Sequence, residues 1–169
     1  MHRRARRSTQ SLGIAVTPAQ VREAVNKLQA STVSGEEEAW DALRPLGIEV
    51  VPYLLEAFPR FRRWQGRASL VYHAIRYARE SDDAFQLGLL GARDKSRVVR
   101  YHALGLLAYS LRREALGEIK NQLSNPDKST VADATAALAA IKEQNHHLFH
   151  DRDRSGRTYW IVNDEDRDA

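Results

Sequence analysis

Residues 94–108 read DKSRVVRYHALGLLA, a polar turn followed by a helix with a packed apolar face. The turn returns at residues 127–129, which again read DKS, and at the same offset Val98 and Ala103 have counterparts in Val131 and Ala136. The offset from Asp94 to Asp127 is called the repeat interval below. A recurrence of this length, with helical periodicity inside each copy, is typical of a solenoid whose units bury their apolar faces by stacking on neighbours. The sequence therefore predicts an all-α fold, an α-α superhelix of helix pairs.

Helix start and stop signals divide the chain into three segments. Residues 1–16 are rich in arginine and are predicted to form a flexible basic arm. Thr17 and Gln20 have the spacing of a capping box, which opens a helical repeat domain over residues 17–145. Residues 146–169 carry aromatic and β-branched residues on both sides of a turn that ends in Gly156. We expect this acidic-ended tail to be hairpin-like, with β character, and to cover the end of the solenoid.

The composition is that of one globular domain. The chain has 169 residues, of which 43% are apolar and 28% charged, and this balance supports a continuous core. It contains no cysteine, which excludes disulfides, thiol catalysis and thiolate metal sites and is consistent with a reducing compartment. No run approaches the roughly 20 apolar residues of a membrane span. We expect a soluble, cytoplasmic protein without a membrane partner.

The charge is unevenly distributed along the chain. The net charge is only +4, yet residues 60–113 contain twelve basic residues against four acidic ones. A local surplus of this kind favours an anionic partner.

The repeated pattern resembles the HEAT repeat over roughly residues 34–144. In that family the second helix of a unit commonly follows an aspartate in the turn and begins with Val-Arg, followed by small and apolar residues. The positions that carry the resemblance in the two clearest copies are Asp94, Val98, Arg100, Ala103 and Leu107, then Asp127, Val131, Ala136 and Ala140. Asp133 stands where the family prefers arginine, and Arg67 takes the arginine position of an earlier copy without the preceding aspartate.

The resemblance implies both a structural ladder and a type of function. In HEAT-like proteins the turn aspartate and the helix arginine of neighbouring units bind one another, which gives Asp94, Arg100 and Asp127 a structural role. The same resemblance implies a curved scaffold that binds proteins or nucleic acids.

Equivalent positions on successive second helices should line up along one face. Rows related by the repeat interval are Arg76, Tyr109 and Lys142; Trp64, Arg97 and Thr130; and Ser69, His102 and Thr135. Arginines there could contact phosphates or carboxylates, and exposed aromatic rings could stack. The candidate partner-binding residues are Trp64, Arg67, Tyr72, Arg76, Arg97, Tyr101, His102, Tyr109 and Arg112. The alternative is that the arginines only solvate the surface and that Trp64 and Tyr72 belong to the core.

Two further patterns are weaker. Residues 151–156 read DRDRSG, like the opening of an EF-hand loop, but Val162 stands where the loop needs glutamate. A turn held by aspartate side chains is the better interpretation. His146, His147 and His150 do not complete a zinc site and are interpreted as a solvated helix end.

We expect a non-catalytic protein-binding scaffold, either a small regulatory adaptor or an immunity-type inhibitor, with an acidic protein as partner and no cofactor or metal. Motifs for nucleophilic, metal-dependent or nucleotide-dependent catalysis are lacking. A nucleic-acid-binding protein is the alternative. A HEAT-like DNA glycosylase or lyase is a weaker one, because the aspartates of the repeats lie mostly in caps and turns.

Overall fold

The computed structural model describes residues 16–168, so almost all of the predicted basic arm lies outside the described residues. Within that range the chain is all-α, with eight α-helices, several short 3-10 helices and no strand. The helices are α1 (Pro18–Asn26), α2 (Val33–Leu43), α3 (Val51–Ala57), α4 (Trp64–Ala74), α5 (Asp82–Gly91), α6 (Arg97–Ser110), α7 (Leu116–Gln122) and α8 (Lys128–Lys142). None of the helices in residues 16–168 has both the length and the apolar character needed to cross a membrane.

Local signals explain where several helices begin. The capping box predicted at the start of α1 is confirmed: the Thr17 hydroxyl accepts from the Gln20 amide, and the Gln20 side chain accepts from the Thr17 amide. Asp127 caps α8 by accepting from the Ser129 amide at 3.1 Å. The cap of α5 is Ser81 rather than the following aspartates, which lie in the first turn, where the helix dipole favours negative charge.

The helices pack in two series. Among the odd-numbered helices α1 contacts α3 and α3 contacts α5, and among the even-numbered ones α4 contacts α6 and α6 contacts α8. Within each pair, the odd-numbered helix also packs on the even-numbered helix that follows it. Positions one repeat interval apart are buried together in this arrangement, for example Ala74, Leu107 and Ala140. One hydrophobic core runs from Val21 in α1 to Phe149 in the tail.

Buried arginines join the starts of the later even-numbered helices. Arg67 in α4 donates to both carboxylate oxygens of Asp94, at 2.7 and 3.0 Å, and to the carbonyls of Phe61 and Arg62. Arg100 makes similar contacts at the next repeat: it donates to one carboxylate oxygen of Asp127, to the carbonyls of Asp94 and Lys95, and to the hydroxyl of Thr130. Asp94, Arg100 and Asp127 therefore have the structural role that the resemblance implied.

The tail, residues 146–168, contains two 3-10 helices, His146–Phe149 and Asp164–Arg167, and no strand, so the predicted β-hairpin-like form is not confirmed. The carbonyl and the amide of Trp160 form hydrogen bonds with two imidazoles, where a strand would bond to a neighbouring strand. Nε2 of His146 lies 2.9 Å from the Trp160 carbonyl, and the Trp160 amide donates to Nδ1 of His147 at 2.9 Å. His146 is only 5% exposed, which corrects its interpretation as part of a solvated helix end.

A buried carboxylate fastens the end of the tail to the helices. Asp166 accepts from the amides of Val162 and Asn163 and from the hydroxyl of Tyr109, which is buried in α6. Burial opposes ionisation of Asp166, but these hydrogen bonds outweigh burial and hold its pKa below the usual value. The guanidinium of Arg79 lies 4.0 Å from the Tyr109 ring and completes the cluster.

The turn at residues 151–156 is held as predicted by an aspartate side chain. Asp151 accepts from the amide and the hydroxyl of Ser155 and from the amide of Gly156. Its oxygens thus stabilise the turn itself.

Candidate protein-binding cleft

A cleft of about 620 Å³ lies between the even-numbered helices and the tail. Its walls come from α2, α4 and α6, from the 3-10 turn that follows α4, and from tail residues near Phe149 and Trp160. Helices from three different units and the tail must therefore all be in place for the cleft to exist.

Aromatic rings follow one another across the cleft. Trp40 of α2 stacks on His73 of α4, with ring centroids 3.9 Å apart and planes 11° from parallel. Tyr72 meets His102 of α6 edge to face at 5.6 Å. Next to His102, Tyr101 approaches Phe149 of the tail, and Phe149 approaches Trp160. Trp40 and Phe149 are buried, Tyr101, His102 and Trp160 are half-buried, and Tyr72 is exposed, so the rings give the cleft a surface that is partly apolar and partly polar.

Glu36 connects α2 to α4 at the side of the cleft. One of its carboxylate oxygens accepts from the Ser69 hydroxyl and from Nε2 of His73, both at 2.5 Å. Because a carboxylate only accepts hydrogen bonds, Nε2 of His73 carries the proton. Ser69 and His73 both bind this oxygen of Glu36 and do not bind each other, so they do not form the nucleophile and base pair of a hydrolase.

The histidines of the cleft are neutral near pH 7. Burial lowers the pKa of His73, although its hydrogen bond to Glu36 opposes that shift. Burial likewise lowers the pKa of His102 and of His150. The imidazoles therefore act as uncharged donors and acceptors there.

The cleft holds charges of both signs. Glu36 and Glu37 lie on the α2 side, and Arg44 and Arg76 lie near the ends of α2 and α4. Arg44 pairs with Asp41 at 2.9 Å. Arg76 is exposed, and among residues 16–168 its guanidinium reaches only the Val162 carbonyl, at the long distance of 3.5 Å.

Four of the nine predicted partner-binding residues line this cleft, namely Tyr72, Arg76, Tyr101 and His102. Tyr72 is 57% exposed, so the alternative that it belongs to the core is wrong. Trp64 and Arg97 are also exposed, but they lie at the first positions of α4 and α6, away from the cleft.

The other three predicted residues have structural partners. Arg67 is only 7% exposed and binds Asp94, and Tyr109 is fully buried against the tail, so neither presents its side chain to a partner in this structure. Burial raises the pKa of Tyr109 to about 12. Arg112 joins neighbouring helix pairs by donating to Asp82 at 2.6 Å and to the Arg79 carbonyl at 3.3 Å.

Sequence reasoning missed Glu36, Trp40 and His73. A signal was present, because Glu36 lies one repeat interval before Ser69 and Trp40 lies one repeat interval before His73. Extending the row of Ser69, His102 and Thr135 one unit towards the N-terminus would have found Glu36, whereas Trp40 and His73 belong to none of the three rows. For Phe149 and Trp160 no such signal exists, since the tail lies beyond the repeats.

No protein-family model matches this chain, and a search of the curated proteins finds no match. In residues 16–168, no three histidine, aspartate or glutamate side chains converge on a point where a metal ion could bind.

Proposed function

We propose that this chain is a HEAT-like α-α superhelix that binds another protein in the aromatic cleft, stoichiometrically and without catalysis. The observation that carries the proposal is the continuous series of rings from Trp40 to Trp160, with Tyr72 exposed among them. Aromatic side chains and arginine are the residue types that most often dominate the binding energy of protein interfaces.

Two repeated features support the superhelix. The Arg67–Asp94 and Arg100–Asp127 pairs have the same spacing in sequence. Each of the two arginines also donates to the carbonyls of the residues five and six positions before it. Some positions one repeat interval apart are also buried alike, as Ala74, Leu107 and Ala140 are. Units related in this way stack by a constant step, which generates a superhelix.

The cleft suits a loop or terminal segment of a polypeptide that inserts an aromatic or aliphatic side chain. Its volume lies within the range of ordinary ligand sites, and neutral imidazoles and phenols on its walls can bind backbone amides and carbonyls. Glu36 is occupied by Ser69 and His73, whereas Glu37 and Arg76 are exposed, on the α2 side and after α4 respectively. An acidic residue of the partner beside the inserted side chain would meet Arg76, which agrees with the acidic partner expected from the sequence.

Photo-crosslinking in native lysate tests this function directly. A photoreactive phenylalanine analogue at position 72 should crosslink to a polypeptide, and nuclease treatment of the lysate should leave the adduct intact. The same analogue at Tyr159, which is 64% exposed and outside the cleft, is the matched control. A crosslink that nuclease removes, or one equally strong from position 159, would contradict binding of protein in the cleft.

A double substitution in the cleft tests whether the cleft is required for binding the partner. Tyr72→Asp together with Arg76→Glu should abolish capture of the crosslinked partner and leave the helical circular-dichroism spectrum unchanged, because both side chains are exposed. Tyr159→Asp should leave capture unchanged. The captured partner also separates the two roles within this function, since a toxin would indicate an immunity-type inhibitor and a signalling or metabolic protein an adaptor.

A further inference from the structure

A row of cations precedes the even-numbered helices α4, α6 and α8. Arg62, Lys95 and Lys128 are separated from one another by the repeat interval, and each lies at or just before the first residue of its helix. All three side chains are exposed. Arg63 and Arg97, also exposed, lie close in sequence to Arg62 and Lys95. These five residues are called the cationic edge below.

The buried arginines fix the register of this edge. Arg67 binds the carbonyl of Arg62 and the carboxylate of Asp94, so it ties the turn before α4 to the turn before α6. Arg100 binds the carbonyl of Lys95 and the carboxylate of Asp127, which ties the turn before α6 to the turn before α8. Neighbouring packed helices lie about 8–10 Å apart. The three turns therefore present their cations side by side, over a length on the order of 20 Å.

The charge of the edge is not neutralised locally. The acidic residues in the same turns are Asp94 and Asp127, and each is occupied by a buried arginine. Within residues 16–168 none of the five cations of the edge takes part in a salt bridge. Arg97 reaches only the Ser129 hydroxyl, at 3.5 Å. Exposed cations in a regular row, without carboxylates of their own, are suited to a polyanion.

An exposed indole lies within this row. Trp64 is the first residue of α4, directly after Arg63, and 43% of its surface is exposed. Trp64 and Arg97 are one repeat interval apart. Cations that track a backbone, together with an exposed ring on which a base can stack, are the features of surfaces that bind single-stranded nucleic acid.

We propose that the cationic edge binds single-stranded nucleic acid, with Arg62, Arg63, Lys95, Arg97 and Lys128 contacting phosphates and Trp64 stacking on a base. This site is separate from the aromatic cleft and does not depend on the function proposed for it. None of its residues lines the cleft.

The test is fluorescence anisotropy of a labelled oligothymidylate over a series of salt concentrations. Arg62→Gln, Lys95→Gln and Lys128→Gln combined should weaken binding about 10-fold or more at low salt. The slope of log K against log salt should become less steep by about 2, because each lost phosphate contact removes about 0.7 from its magnitude on a single strand. The matched control is Lys120→Gln, Lys142→Gln and Arg157→Gln combined, which removes the same charge from exposed positions elsewhere. Both variants keep the arginines of residues 1–15, so any contribution from that segment is the same in both.

A second variant tests the stacking. Trp64→Ala should weaken binding of the single strand about 5-fold or more, whereas Tyr159→Ala should leave it unchanged. Equal salt slopes for the two triple variants, or no measurable binding by the wild type, would overturn the proposal. Polyglutamate that displaces the oligonucleotide at equal charge concentration, with no effect of Trp64→Ala, would also overturn it and assign the edge to an acidic protein.

Discussion

At the scale of single residues, the repeated arginine makes contacts that lysine could not. The guanidinium of Arg67 donates to two carbonyls of its own preceding turn and to the carboxylate of the next one. Five N–H groups in a planar fork can satisfy these acceptors together, whereas an ammonium has three donors around one point. One side chain thereby caps its own unit and fixes the distance to the next.

Arg67→Ala should lower the free energy of unfolding by about 3–5 kcal/mol, because it leaves the buried carboxylate of Asp94 without its partner. Chemical denaturation followed by circular dichroism measures this loss.

The control for that prediction is Arg44→Ala. Arg44 also pairs with an aspartate, but both side chains of the Arg44–Asp41 pair are largely exposed, and the loss should stay below about 1 kcal/mol. Losses of similar size for Arg44→Ala and Arg67→Ala would show that the buried pair has no special structural role.

At the scale of elements, the tail supplies an ion-pair partner to the last α-helix, α8. Asp133 occupies in α8 the position that Arg67 and Arg100 hold in α4 and α6. The position one repeat interval after Asp127 is Trp160 instead of an aspartate, and Asp133 accepts from Arg152 of the tail at 2.9 Å. This contact explains why Asp133 departs from the repeat pattern: the tail supplies the cation of the pair, Arg152, so α8 supplies the carboxylate.

Removing residues 148–169 should lower stability by about 3–6 kcal/mol, since Leu148 and Phe149 each contribute roughly 1.5–3 kcal/mol by burial against the helices. Helical circular dichroism should persist because α1 to α8 all precede the deletion. Thermal unfolding of the truncated chain measures the effect.

In the full-length chain, Phe149→Ala should by itself cost about 3–5 kcal/mol. Phe149 is almost fully buried, and one of its ring carbons would lie 3.1 Å from a Cβ placed on Gly105. Tyr159→Ala, at an exposed tail position, should change stability by less than about 0.5 kcal/mol. A truncated chain as stable as the whole one would mean that the tail does not cover the core.

At the scale of the whole molecule, histidines are concentrated where the helices meet the tail and the cleft. Burial is the largest influence on four of them and lowers the pKa of each below the usual 6.5: His73, His102, His146 and His150. The folded protein therefore binds fewer protons than the unfolded chain at mildly acidic pH.

Stability should consequently fall as the pH drops below about 6.5, where the unfolded imidazoles take up protons before the folded ones do. Between about pH 8 and 7 the melting temperature should be nearly constant with respect to these groups, because both states are then neutral. Differential scanning fluorimetry across this range measures the dependence. Replacing His73 and His102 with glutamine should flatten it, and an unchanged profile in that variant would contradict the role assigned to these imidazoles.

Much of the fold follows from short-range and periodic information. The capping box at Thr17, the recurrence of Asp94 at Asp127, and the recurrence of Arg67 at Arg100 can all be read from the sequence. They can be read because helix caps act within one turn and because the arginine contacts recur at a constant interval. The same interval, applied to the row of Ser69 and His102, could have located Glu36.

The form of the cleft and of the tail depends on contacts between residues that are distant in sequence. Asp166 meets Tyr109 across 57 residues, and Trp160 meets His147 across 13. Neither pair follows the repeat interval. Aromatic and β-branched residues near Thr158 favour a strand by propensity, but strand propensity reflects the surface available for packing more than the backbone itself. In this protein the sequence alone determined the helices and their repeated arginine contacts. The tertiary structure determined that imidazole and carboxylate side chains hold the tail in place of a strand, and so formed the wall that completes the cleft.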